Sequence, residues 1–261
     1  MAAKKFLIYL LSLPYLIMAS IIIKLKVKSI IDDYEKCTTY IYCNSKKYNN
    51  ISSVMIDILR LAEDHRQLLH RGIDPIAIIR TFYLRIFKNI HQGASTIEQQ
   101  FVRTITKRYE KTIRRKIREQ ILAILIRNVS TPDDICKCYL SCCYYGYGTY
   151  GIDNLLKKKQ NISDFDIVAM IKYPFRGEVV SVTEERFKHR SLYLSTLYKL
   201  NAQRDMIFFC ENIVGDYVKC ILLCVKKFSH LCLMYNRECF YSDFMHVKLM
   251  SAVDIRYGDN E

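Results

Sequence analysis

Residues 63–74 read EDHRQLLHRGID, and residues 93–100 read GASTIEQQ. Both stretches are written around the ends of helices. In the first, Asp74 precedes Pro75. An Asp side chain accepts from a free amide of a first helical turn, and Pro at the first helical position sacrifices no hydrogen bond. In the second, Gly93 and Ala94 supply a tight turn, and Ser95 with Glu98 has the spacing of a capping box. Each stretch therefore predicts a turn running into a helix.

The same pattern continues on both sides. Residues 51–62 place Val54, Ile58, Leu61 and Ala62 on one helical face. Residues 111–129 read as one long amphipathic helix, Thr131-Pro132 caps the next, Ser163 begins a short one, and residues 184–200 form the last clear one. Only 8 Gly and 4 Pro occur in 261 residues, which favours long helices over a turn-rich β-fold. Apolar residues make up 51% of the chain, enough for a core and against general disorder.

Near the N-terminus, residues 6–23 carry no charge. At about 1.5 Å per residue this run nearly spans a hydrocarbon core of about 30 Å, and it is expected to be an uncleaved transmembrane helix. Residues 24–50, polar and rich in Tyr, Lys and Asn, read as a juxtamembrane linker. The helical domain is expected over 51–200, with 201–261 a Cys-rich C-terminal extension to which the sequence assigns no role. Eleven cysteines show no C-x-x-C pair or zinc spacing, and Cys37 with Cys43 is a candidate bridge in an oxidising compartment.

The net charge is +14, from 40 Lys and Arg against 26 Asp and Glu. Such a balance suits an anionic partner: a membrane surface, a phosphorylated substrate or nucleic acid. It is concentrated in residues 101–118, which hold eight basic residues and one acid, Glu110. No nucleic-acid-binding motif accompanies the charge, so no nucleic-acid partner is expected.

Chemistry is carried by four blocks in order. Residues 63–74 place Glu63 at the end of an apolar helix, where a carboxylate can act as a general base. Residues 93–100 end in a helix N-terminus, whose free amides favour an anion, with hydroxyl donors Ser95 and Thr96. Gln99 and Arg103 share a face of that helix. Residues 115–119 read RKIRE, with Arg115 and Glu119 on one face and Lys116 three residues from Glu119. Residues 135–151 read ICKCYLSCCYYGYGTYG. Cations facing a phosphate-binding turn would make a diphosphate site. Singly, each block has a plainer reading: a helix cap, a solvated basic face, surface polar residues, packed tyrosines.

Together and in order, the blocks resemble the signature motifs of the bacterial peptidoglycan glycosyltransferases, the transglycosylase domain of penicillin-binding proteins and of short monofunctional enzymes. The family patterns are E-D-x-x-F-x-x-H-x-G-I-D, G-x-S-T-x-x-Q-Q, R-K-x-x-E and I-L-x-x-Y-L-N with a Tyr/Phe/Gly tail. The resemblance covers residues 55–200. It implies a mainly α, lysozyme-like glycosyltransferase domain behind one N-terminal transmembrane helix. Five positions depart from the pattern. Gln67 stands for Phe, Ser141 for Asn, Arg127 for Glu and Arg103 for Lys. Glu98 stands for Thr, which is expected to put a carboxylate beside the phosphate site. A last motif, around residues 190–194, is only loosely present.

The resemblance further implies an inverting polymerisation of lipid II into β-1,4 glycan strands. Glu63 would take the proton from the acceptor hydroxyl. Arg103, Arg115 and Lys116 would stabilise the leaving polyprenyl diphosphate, and Glu119 would orient them or contact the acceptor. Asp64, His70, Ser95, Thr96, Gln99 and Gln100 would hold substrate. No cofactor is required. Some members of the family use a divalent cation near the diphosphate, and no ligand set for one is evident. The expected partners are lipid II, the polyprenyl-linked glycan, the membrane, and proteins of cell-wall synthesis or division. The expected location is the bacterial plasma membrane, single-pass, with the catalytic domain outside the cytoplasm. Residues 201–261 are too few for a transpeptidase, so the chain reads as monofunctional. Rival readings are a glycan-cleaving enzyme with Glu63 as general acid and a membrane scaffold without activity.

Overall fold

A computed structural model describes residues 2–49, 51–90, 92–159, 161–174 and 181–202. The extension expected over 201–261 lies, from residue 203 on, outside the described residues. The elements run α1 (Ala2–Lys24), α2 (Lys28–Asn44), α3 (Ser53–Glu63), α4 (Pro75–Lys88), α5 (Ile97–Thr106), α6 (Ile113–Val129), α7 (Pro132–Cys142), β1 (Tyr144–Gly146), β2 (Thr149–Tyr150), α8 (Ile152–Lys158), α9 (Asp164–Lys172) and α10 (Ser181–Ala202). The fold is mainly α, as the cap signals predict. One compact unit spans Met1–Leu194 and holds everything discussed below.

Helix starts are set by side chains that accept from first-turn amides. Ser52 caps α3, Asp74 caps α4 with Pro75 behind it, Thr112 caps α6, Thr131 caps α7 and Ser163 caps α9. Each such cap stabilises its helix by about 1 kcal/mol. At α5 the cap is Thr96, one residue later than the capping box predicts, and Glu98 does not reach back to it.

The centre of the unit is α6. Gln120 through Ile126 are all buried, so this helix is enclosed on every side rather than amphipathic along its length. Around it pack α1, α2 and α5, and α5 packs in turn on α7. Phe101 and Val102 of α5, Leu122 and Ile126 of α6, and Ile135 and Leu140 of α7 are essentially inaccessible. Each such side chain contributes about 1.5–3 kcal/mol on burial.

Residues 28–44, expected to be linker, are a helix that buries Ile30, Asp33, Cys37 and Ile41. Their spacing of three, four and four is helical, and the polar residues between them mask it. Asp33 fastens this helix to the basic stretch, accepting from Arg108 Nε at 3.0 Å and Arg118 Nε at 2.8 Å. Cys37 and Cys43 are both free, the first buried and the second exposed, because six residues along a helix point them apart.

The helix Lys5–Lys24 is long and apolar enough to cross a membrane by length and composition. It packs against α4 and α6. Exposed on α4 are Ile79, Phe82, Ile86 and Phe87.

Two local conformations matter later. Gly72 has φ +88°, and a Cβ there would lie 2.5 Å from the Ala123 carbonyl oxygen. Only glycine lets the 63–74 loop rest on the backbone of α6. The hairpin of β1 and β2 turns through Tyr147 (φ +44°) and Gly148 (φ +66°), both left-handed. That turn type favours Asn-Gly. A tyrosine held there costs about 1–2 kcal/mol, and Tyr147 is 70% exposed, so burial of its ring does not offset the strain.

Candidate active site

Glu63 is the last residue of α3, with 17% of its side chain exposed. Gln100 on α5 donates its Nε2 to Glu63 Oε2 at 3.0 Å, and Tyr139 on α7 donates to Gln100 Oε1 at 2.7 Å. From α10, Arg190 places NH2 at 3.5 Å from Glu63 Oε1 and at 2.8 Å from the Ala62 carbonyl oxygen. Three helices thus fix one carboxylate. Sequence reasoning does not place Arg190 in the site. Its position in the loosely present last motif is the signal, and 127 residues separate it from its partner.

A second cluster forms where α5 faces the first turn of α6. Glu119, nearly inaccessible, accepts from Arg103 Nε at 2.8 Å and from Arg103 NH2 at 3.0 Å, a bidentate fork. Arg115 NH1 donates to Oε1 of the same carboxylate, and Lys116 Nζ lies 3.9 Å from Oε2. Lys116 also donates to Ser95 Oγ and Gln99 Oε1, both at 2.7 Å. Burial first, then Arg103 and Arg115, lower the Lys116 pKa to about 8 against the pull of Glu119. One acid organising three cations beside a helix N-terminus is built to receive an anion. Three positive side chains around one carboxylate repel a metal cation, so this cluster does not fit a divalent ion.

The basic stretch is therefore divided. Arg103, Arg115 and Lys116 surround Glu119, Arg108 and Arg118 serve Asp33, and Lys107, Lys111 and Arg114 face solvent.

Asp64, His70, Thr96 and Gln99, expected to hold substrate, are buried braces. His70 Nε2 lies 3.0 Å from each Asp64 oxygen, and Asp64 Oδ2 accepts from the Ile97 amide at 3.3 Å. Burial opposes charge on His70, but Asp64, with Glu98 and Asp74, together outweigh it and lift the pKa to about 9. Thr96 donates to the Gly72 carbonyl at 2.9 Å, tying the two sequence blocks together. Ser95 and Gln100 remain half-buried. A cavity of about 30 Å³, room for water but not for a sugar, is lined by residues including Glu63, Gly93, Ser95 and Arg80.

Asp64, His70 and Glu98 are the described residues with oxygen and nitrogen atoms close enough together to hold a metal ion. Asp64 and His70 already form a hydrogen-bonded pair, and Arg127 Nε lies 3.8 Å from Glu98 Oε1. These residues fit an internal charge network better than a ligand set.

Glu98 corrects a second expectation. It does not stand beside Ser95 and Lys116. It is fully buried on another side of α5, where Gln67 Nε2 donates to its Oε1 at 3.1 Å. Gln67 Oε1 accepts from Arg60 Nε at 3.0 Å and from Cys136 Sγ at 3.2 Å. Residues 67, 98 and 127, three departures from the family pattern, thus meet in one buried network. A fourth, Ser141, shares a hydrogen bond of 2.9 Å with the Tyr40 hydroxyl.

A family model described as Transglycosylase matches residues 34–158, just under half the chain. Penicillin-binding protein 1A of Escherichia coli (strain K12) is 39% identical over 105 residues, covering 40% of this chain and 12% of that protein. That of Haemophilus influenzae is 38% identical over 107 residues, covering 41% and 12%. That of Rickettsia conorii is 37% identical over 108 residues, covering 40% and 14%. The match thus spans about an eighth of each relative's length.

Proposed function

Because residues 34–158 match the transglycosylase family model and overlap the stretch similar to penicillin-binding protein 1A, we propose that this domain polymerises lipid II into β-1,4 glycan strands, releasing polyprenyl diphosphate. The observation that carries the reading is the placement of Gln100 and Arg103 on one helix. The first holds Glu63, and the second holds Glu119 with its cations. A base and an anion site are set by the same rigid element.

In this reading Glu63 removes the proton from the acceptor's 4-hydroxyl as that oxygen attacks the anomeric carbon of the donor, with inversion. The bond from that carbon to the diphosphate oxygen breaks, and negative charge grows on the leaving group. Arg103, Arg115 and Lys116 stabilise that charge, as fixed dipoles and cations do where it develops in a transition state. Glu119, with its oxygens engaged by the arginines, positions those cations rather than moving a proton. The lipid tails of both substrates lie along a membrane entered by α1, with the exposed apolar residues of α4 beside it. The domain works on the extracytoplasmic side of the bacterial plasma membrane.

The scaffold reading draws on the departures from the family pattern. Gln67, Glu98 and Arg127 engage one another and Arg60, and Ser141 engages Tyr40, while Glu63 and Lys116 are held by other side chains, which favours the enzyme. The experiment is polymerisation of purified lipid II by wild type and Glu63→Gln in detergent, followed on gels. Polymer from wild type and none from the variant is expected. Equal behaviour of the two ends the proposal.

A further inference from the structure

The β1–β2 hairpin presents three exposed tyrosines within seven residues: Tyr144, Tyr147 and Tyr150 are 40%, 70% and 58% exposed. Tyr144 and Tyr150 are cross-strand partners, with ring centroids 5.0 Å apart. Tyr147 occupies a left-handed position where Asn would sit without strain, yet its ring is not packed. Bulky residues held in such conformations point to a use outside folding. The turn is also pinned: Lys158 on α8 donates to Thr149 Oγ1 at 2.9 Å. Tyr109, 61% exposed between α5 and α6, lies close enough to Tyr150 and to Arg103 for both to act on it electrostatically. The hairpin follows α7 directly, and its first tyrosine stands five residues after Tyr139, which holds Gln100 of the candidate site.

We propose that Tyr109, Tyr144, Tyr147 and Tyr150 form a platform that binds the uncharged backbone of a β-1,4-linked N-acetylhexosamine strand beside the candidate active site. Tyrosine suits such a ligand. Its ring face packs on the C–H bonds of a pyranose, and its hydroxyl donates to or accepts from the sugar's own hydroxyls. A lipid surface is the other occupant to weigh. The hairpin packs on α8 and α9, while the apolar α1 packs on α4 and α6, and the exposed aliphatic and phenyl groups lie on α4. The exposed large side chains of the hairpin are all phenols, which favours sugar.

This proposal deepens the glycosyltransferase reading and rests on it for the ligand's identity. Its test uses the full chain in detergent, with chitohexaose as the probe, and three variants: Tyr147→Asn, Tyr147→Phe and Tyr150→Ala. Asn is at home in the left-handed turn, so Tyr147→Asn is expected to keep or raise the melting temperature. It should weaken chitohexaose binding about tenfold, the loss expected of one stacking ring. Tyr147→Phe should retain most of the affinity. On lipid II, the Asn variant should yield shorter strands than wild type. Unchanged chitohexaose affinity in both Tyr147→Asn and Tyr150→Ala, or no binding by wild type, overturns the platform. Loss of binding to glycan-free vesicles with chitohexaose affinity intact assigns the tyrosines to lipid and overturns it too. If wild type binds chitohexaose through Tyr147 but makes no polymer, the proposed function fails and the platform stands.

Discussion

Gln67 and Glu98 meet at 3.1 Å in the interior of the unit, each with no exposed surface, although 31 residues separate them. Their contact explains why two polar residues stand where the family pattern carries Phe and Thr. Glu98 needs donors once buried. Gln67 gives one, and Arg127 supplies the opposite charge at 3.8 Å. Burial raises the Glu98 pKa and Asp64 adds to it, against the pull of His70.

The network should behave as a unit. Glu98→Thr alone strands the Gln67 amide and the Arg127 guanidinium, and is expected to cost about 2–4 kcal/mol. Arg127→Glu alone sets two carboxylates against each other and should cost at least as much. The triple variant Gln67→Phe, Glu98→Thr, Arg127→Glu should recover more than half of the summed loss. Denaturant unfolding of the singles, doubles and triple measures this coupling, and additive losses would show that the three do not act together.

Glu63→Gln keeps the shape of the side chain and removes its basicity. Initial rates on lipid II should fall by about 10²–10⁴, the usual contribution of a general base. The melting temperature should change little.

Arg190→Ala removes the guanidinium that meets Glu63 and the Ala62 carbonyl. A misplaced base lowers turnover more than affinity, so kcat should drop about tenfold with KM nearly constant. Arg190→Lys should restore part of the loss. A change in KM alone would place Arg190 in binding instead.

Lys116 gives a pH signature. Its pKa is lowered from 10.5 to about 8 in the folded chain, so the unliganded protein loses this positive charge as pH rises through 8. The alkaline limb of kcat/KM should fall there, and Lys116→Arg should move that limb above pH 10. Stability changes in the opposite direction. Between pH 8 and 10.5 the unfolded chain holds a proton the folded chain has released, so this group's contribution to stability rises with pH across that window.

Gly72→Ala would drive a methyl group into the Ala123 carbonyl at a φ of +88°. A loss of about 3 kcal/mol is expected from this clash and strain together, read from thermal unfolding.

Much of this architecture was legible in the sequence because helix caps are local. Asp74-Pro75, Thr131-Pro132 and Ser163 each depend on residues within one turn, and each caps as read. The buried face of α3 was less clear: Met55, Ile56, Ile58 and Leu59 face the core while Val54 is 39% exposed, because several rows of apolar residues compete on that helix. Glu98 is expected beside the phosphate turn because it stands within residues 93–100, where the family pattern carries Thr. Helical periodicity already aligned it with Phe101 and Val102, both buried. Arg190 and Asp33 find their partners across 127 and 85 residues, a relation that no local pattern encodes.

Asp33 also has a mechanical consequence. Only residues 25–27 separate α1 from α2, and Asp33 rivets α2 to Arg118, one residue before Glu119. A twist or tilt of the first helix would therefore be felt at the turn of α6 that presents Arg115 and Lys116. The protein's apolar stalk therefore reaches the cation cluster by two routes, through α2 and through its own packing on α6.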